Sequence, residues 1–144
     1  MATSILFENE QIHSLIPQRK PIIMVDTFFE GSETHAITGL TIQADNLFCR
    51  KGVFTEPGLI EHMAQSASAM AGYTANLQQK QAPIGYIGEI KKFRVLRCPD
   101  IGETLQTTIH VLSEVLNISL VSADTNVGDE LVASCQMKIF IQEK

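Results

Sequence analysis

From about Gly58 to Leu77 the chain reads as a helix with almost no polar outer surface, and that feature limits the folds open to it. Ala64, Ala67, Ala69, Met70 and Ala71 place small or apolar side chains on nearly every side. A helix that is apolar all round is a buried helix. Yet this one carries a carboxylate, Glu61, just after the Pro57-Gly58 turn that opens it. Glu61 and Gln65 are four apart and stand one above the other, and Ser68 and Gly72 continue the same face. A buried carboxylate is costly unless it is paired, protonated or used in chemistry.

What could surround such a helix is strand. Residues 8–15 suggest a short helix stopped by Pro17, and Pro21 then opens a strand-like run over 22–29. Gly31-Ser32 signals a turn, and residues 34–42 alternate as the second strand of a hairpin. Residues 44–57 are polar and irregular. Beyond the helix the pattern predicts strands over 84–96, 104–112, 116–123 and 131–141, separated by Pro99-Asp100-Ile101-Gly102 and by Asn126 to Asp129. Short connections make these antiparallel neighbours. The expectation is an α+β domain spanning 1–144, with one long central helix wrapped by a six-stranded antiparallel sheet. A single wrapped layer leaves apolar surface uncovered, so a dimer is expected.

Composition narrows the function classes. The 144 residues are 44% hydrophobic and 19% charged, which suits one folded core. The net charge of −5 argues against general nucleic-acid binding. No apolar run reaches the roughly 18 residues that span a bilayer, and Met1–Glu8 lacks signal-peptide character, so a cytoplasmic protein is expected. Cys49, Cys98 and Cys135 have no metal-ligand spacing, and no metal or cofactor is expected. Lys91, Lys92, Arg94 and Arg97 fall within seven residues, either a solvated strand face or a local basic patch that docks an acidic partner.

Three segments carry a family resemblance. Leu15-Ile16-Pro17-Gln18-Arg19-Lys20-Pro21 through Asp26 resembles "LPHRxPxLxVD"; Pro57-Gly58 through Ala64-Gln65 resembles "PGxxxxExxAQ"; and Phe93-Arg94-Val95 through Glu103 resembles "RFxRPVxPGD". In this order they are similar to the beta-hydroxyacyl-acyl-carrier-protein dehydratases of the FabZ type, which have the hotdog fold. Shortened relatives resemble the dehydratase-like subunits found with aryl polyene or flexirubin pigment pathways. There are departures. The Pro-Gly stands two residues nearer to the Glu than in the family. The family's catalytic His belongs to a "GHFPG" loop, whereas here Phe48 to Glu56 contains no His, and the early "PH" is Pro17-Gln18.

The resemblance implies a hydro-lyase acting on a (3R)-3-hydroxyacyl thioester. Glu61 would serve as acid or sole acid–base group, with Gln65 orienting it or a water. Pro57, Gly58 and Leu59 would open the helix, where an N–H of Gly58 or Leu59 holds the thioester oxygen. Gly88 corresponds to the family's strand glycine. The acyl chain would run along the helix in an apolar tunnel at a subunit interface. The thioester would come on acyl carrier protein or coenzyme A, with the Lys91, Lys92, Arg94 and Arg97 cluster receiving the carrier. Two alternatives stand beside this: a non-catalytic or half-site subunit paired with a His-bearing hotdog relative, or a hotdog acyl thioesterase using the helix carboxylate alone. His62 lies about 100° round the helix from Glu61, which favours a structural or interface role. Cys49 lacks a base to make it a nucleophile. His13, His35 and His110 have no motif around them and are taken as structural or exposed.

Overall fold

The computed structural model describes residues 4–81 and 84–142. In chain order these form β1 (Phe7–Glu8), a 3-10 turn (Asn9–Ser14), β2 (Thr27–Gly31), β3 (His35–Thr41), β4 (Cys49–Arg50), β5 (Val53–Phe54), α1 (Glu56–Leu77), β6 (Ile84–Val95), β7 (Thr104–Val115), β8 (Ile118–Val127) and β9 (Glu130–Gln142). The main sheet has the order β1-β2-β3-β7-β8-β9-β6, with every pairing antiparallel.

Period-two alternation decides which face of this sheet meets the helix. Leu105 and Ile109 of β7, Val121 and Ala123 of β8, and Ala133, Cys135 and Met137 of β9 all point inward. They pack with Leu59, Met63 and Ala67 of α1 in one cluster. A second cluster joins Ile12, Leu15, Ile16, Val25, Phe28 and Ala36 to Ala69 on another side of the helix. Two clusters on two sides of one helix explain why its sequence has no polar stripe.

The sheet has seven strands rather than the expected six, because Phe7–Glu8 pairs with Phe28 and Thr27 at the end of β2. The N-terminal helix is a 3-10 turn. The stretch 44–57 is less irregular than expected: β4 and β5 form a small hairpin whose tip, Lys51-Gly52, has positive φ at both residues. The strand expected from residue 22 begins only at Thr27, since residues 22–25 lie along α1 instead of in the sheet. The β7–β8 turn lies at Leu116-Asn117, with Leu116 at φ 56, so β7 runs on to Val115 and β8 starts at Ile118, while β8 gains its extra length at its far end, reaching Val127. No helix among the described residues is long and apolar enough to cross a membrane.

The segment 14–24 runs antiparallel to α1 along the Glu61 face. Ser14 meets the helix at Asn76, whose Nδ2 donates to its carbonyl at 3.2 Å. Leu15 meets it at Gly72, and Ile22 and Met24 meet it at Gln65 and His62. A Cβ on Gly72 would overlap the carbonyl oxygen of Leu15, a backbone atom that cannot swing aside. Gly72→Ala is therefore expected to cost about 2–3 kcal/mol by overpacking. Urea denaturation would measure this, and an unchanged midpoint would show that the segment is not wedged against the helix.

Candidate functional site

The helix opens beside the small hairpin. Thr55 takes the N-cap position, but its hydroxyl donates to Phe48 O at 2.6 Å and does not cap the helix. The N–H of Leu59 donates to Thr55 O at 3.1 Å, the first bond of the helical ladder. Gly58 precedes that bond, so its N–H has no helical partner. Of the two candidate donors, geometry leaves Gly58 and removes Leu59, whose side chain is fully buried in the core. Gly58 is required sterically as well, since a Cβ would sit 2.6 Å from Phe48 Cβ and 2.7 Å from the Phe54 ring.

One turn further on, Glu61 is half-buried and Gln65 fully so. The Gln65 amide is fixed from both ends. Its Oε1 accepts the N–H of Met24 at 2.5 Å, and its Nε2 donates to Ile22 O at 2.9 Å. An N–H must face a carbonyl oxygen, so the amide cannot be turned round. The remaining donor direction of Nε2 meets Glu61 Oε2 at 2.8 Å. Gln65 thus stands in for the strand neighbour that Ile22–Met24 lacks, and it aims the Glu61 carboxylate. Glu61 is not among the walls of a surface cavity of about 380 Å³ that touches the helix at Ser68.

His62 belongs to the interior. It is fully buried, with Nδ1 2.6 Å from Met24 O and Nε2 2.7 Å from Thr107 Oγ1. A carbonyl can only accept, so Nδ1 carries the proton and Nε2 accepts from the Thr107 hydroxyl. Thr107 in turn accepts from Thr125, 2.6 Å away. Burial pushes the imidazole pKa down to about 4, against a smaller upward pull from the bond to Met24. Both ring nitrogens are spent, so His62 cannot exchange protons with a group beside Glu61. In the hairpin, Cys49 is half-buried and burial raises its thiol pKa, the opposite of what a nucleophile needs.

The other candidate residues lie apart from Glu61. Gly88, at a bulge of β6, lies beneath the ring of Phe140, which a Cβ would overlap. That contact accounts for the glycine by sheet packing. The basic cluster is divided. Arg97 binds Glu103 at 2.7 Å and Glu130 at 2.9 Å. These partners, Glu103 first, hold it protonated, and it in turn holds both carboxyls below their ordinary value. Lys91 lies 3.9 Å from Glu89, which Lys138 also approaches. Among the described residues Lys92 and Arg94 form no ion pair. The sequence did not reveal the backbone of Ile22–Met24 as a partner of Gln65 and His62; a run of apolar residues after proline looks the same whether it joins a sheet or lies on a helix.

A family model described as ApeP-like, ApeP dehydratase, matches residues 10–144. The chain belongs to the ApeP-like dehydratase family. Among curated relatives it is 29% identical over 146 residues to the 3-hydroxyacyl-[acyl-carrier-protein] dehydratase FabZ of Macrococcus caseolyticus, covering 96% of this chain and 98% of that protein. The FabZ of Natranaerobius thermophilus is 28% identical over 137 residues, covering 93% and 96%. Among solved structures, the dehydratase heterocomplex ApeI:P from Xenorhabdus doucetiae has a chain that superposes with a TM-score of 0.79 at 14% identity, covering 92% of this chain and 91% of its own. A hypothetical thioesterase from Streptococcus pneumoniae, solved with coenzyme A, reaches 0.66 at 9% identity, covering 81% and 85%. The fold is the hotdog fold, and the ApeP-like chain is a divergent dehydratase of the FabZ type.

Proposed function

We propose that this chain binds a (3R)-3-hydroxyacyl thioester and takes part in its dehydration, with Glu61 as the proton-transferring group. The observation that carries the reading is the Glu61 carboxylate held by Gln65 Nε2 at 2.8 Å, one turn into a helix whose Gly58 N–H has no helical partner. Dehydration removes a proton from the carbon beside the thioester carbonyl and delivers one to the departing hydroxyl. A positioned carboxylate can do either, and a free N–H at the helix start can hold charge on the thioester oxygen. Carrier protein is the expected source of the thioester, as in the names of the FabZ relatives, with Lys92 and Arg94, the two cations of the cluster that form no ion pair among the described residues, left to receive it. The activity is placed in fatty acid or polyene-type biosynthesis, and the FabZ relatives fit the first of these.

One observation favours the half-site reading of this activity. His62 is locked in the core and the Phe48–Glu56 loop contains no His, so Glu61 has no imidazole partner from its own helix or that loop. A hotdog subunit bearing a His would complete such a site. The sheet offers a place for it: β6 is an edge strand of 12 residues, and Ile84, Tyr86 and Ile87 on it are exposed at 41–55%. Unpaired edges with apolar side chains invite another strand.

The test uses purified protein with 3-hydroxyacyl carrier protein and with acyl-coenzyme A, alone and mixed with a His-bearing hotdog relative. Water loss by the chain alone supports self-sufficient dehydration, and water loss only in the mixture supports the half-site form. Thiol release from acyl-coenzyme A would replace both with a thioesterase. Sedimentation gives a companion prediction. The 15.9 kDa chain should run at about twice that mass, alone or with the relative, and Ile87→Lys should return it to monomer. A wild-type monomer in both conditions would rule out the edge as an interface.

A further inference from the structure

We propose that the face of the sheet turned away from α1 carries a self-association surface, the row Tyr86, Phe140, Ile118 and Val115, and that its occupant is the same row of a second copy of this chain. The register sets these four residues side by side across four strands: Tyr86 pairs with Phe140, Phe140 with Ile118, and Ile118 with Val115. Directly paired residues share a face of the sheet. Phe140 lies three positions beyond Met137 and Ile118 three before Val121, and both of those are buried against the helix, so the row stands on the opposite face. All four side chains are exposed, Val115 at 64%, and the adjoining turn residue Leu116 is 98% exposed. Strand spacing makes the row about 14 Å long. The ring of Phe140 lies over Gly88 and closes the gap between β9 and β6. The Tyr86 hydroxyl already donates to Gln142 Oε1 at 3.0 Å, which leaves its ring as contact surface.

Shape, charge and area point to a second copy. The row runs from two aromatic rings on β6 and β9 to two smaller aliphatic side chains on β8 and β7. Two sheets packed face to face with their strands aligned, and related by a two-fold axis along the strands, reverse the order of the row. Tyr86 then meets Val115 and Phe140 meets Ile118, large against small throughout. The next row on the same face is Glu89, Lys138, Leu120 and Ser113. The same rotation sets Lys138 opposite Leu120 and Glu89 opposite Ser113, so no like charges meet, although the chain carries a net charge of −5. An acidic partner finds no free cation in these two rows, because Lys138 Nζ already lies 3.7 Å from Glu89. The four side chains and Leu116 expose roughly 500 Å² of apolar surface per chain, so two copies cover about 1,000 Å², the lower limit of a specific interface. The contact is therefore one that forms as the protein is concentrated, separate from any pairing at the β6 edge.

Sedimentation equilibrium of the full chain over a series of concentrations measures it. Whatever mass the dilute chain shows, concentrating it should double that mass. Val115→Lys changes a side chain that is already exposed and lies on β7, away from the β6 edge, so fold and edge should stay intact. It should raise the concentration of half-association about tenfold or more, and Tyr86→Glu should do the same. An equimolar mixture of the two variants should recover association, because the reversed order brings the two introduced charges, opposite in sign, together. Thermal midpoints check that both variants fold, and Val115→Lys decides alone if Tyr86→Glu does not. A mass that never rises with concentration, a Val115→Lys chain that associates like wild type, or a mixture of folded variants that stays apart would overturn the proposal. So would a rise seen only on adding acyl carrier protein or a His-bearing hotdog relative, which would assign the row to that partner.

Discussion

His62→Ala is expected to destabilise the fold by about 4 kcal/mol, combining the cavity it leaves with the groups it strands. Met24 O and the Thr107 hydroxyl would lose their partner inside a region with no access to water. The imidazole also makes the fold sensitive to acid, and the sign follows from its pKa. The ordinary value is 6.5 and burial brings it to about 4 in the folded chain, so the folded chain holds His62 neutral. Between these values the unfolded chain binds the proton and the folded one does not. The contribution is therefore complete above pH 6.5, shrinks as pH falls, and is gone below about pH 4; the interval corresponds to about 3 kcal/mol. Glu103 and Glu130, whose carboxyls are held low by Arg97, lose their contribution on acidification too, so the comparison with the variant isolates the histidine. Urea midpoints from pH 4 to 8 should fall more steeply for wild type than for His62→Ala. Parallel curves would mean that His62 is charged, or solvated, in the folded state.

The same residue shows how far sequence carries. That a helix apolar on all sides must be buried was legible, and so were the later strands, because alternation such as Leu105, Thr107 and Ile109 leaves a period-two trace. The motifs around Pro57-Gly58 and Gln65 gave the family. What no local pattern could reveal were pairings made across long separations. The amide of Gln65 bonds residues 41 and 43 positions away, and His62 bonds one 38 away and another 45 away. The break between β7 and β8, expected over 113–115, falls later, at 116–117, for a different reason. Its left-handed residue is Leu116, where glycine or asparagine would be the usual signal, so the sequence does not place the turn at that residue. The basic cluster was visible as four cations, but the carboxylates that neutralise Arg97 lie 6 and 33 residues further on and meet it only in the fold.

Glu61→Gln should lower kcat/KM for a 3-hydroxyacyl carrier protein by about 10³-fold, in whichever assembly the activity is found, because the amide can neither take nor give the proton. The substitution is informative because it preserves the local structure. A glutamine at 61 still offers an oxygen to Gln65 Nε2, so the bonds from Gln65 to Met24 and Ile22 remain and the thermal midpoint should not move. Gln65→Leu is the contrasting case. It removes the partner of Glu61 and strands two buried backbone groups together, so it should lower stability as well as activity. Loss of activity at constant stability in the first variant, and loss of both in the second, separates the proton-transferring group from the group that aims it. A Glu61→Gln protein with wild-type turnover would take the carboxylate out of the reaction and leave the half-buried Glu61 as a helix-start charge facing the positive end of the dipole.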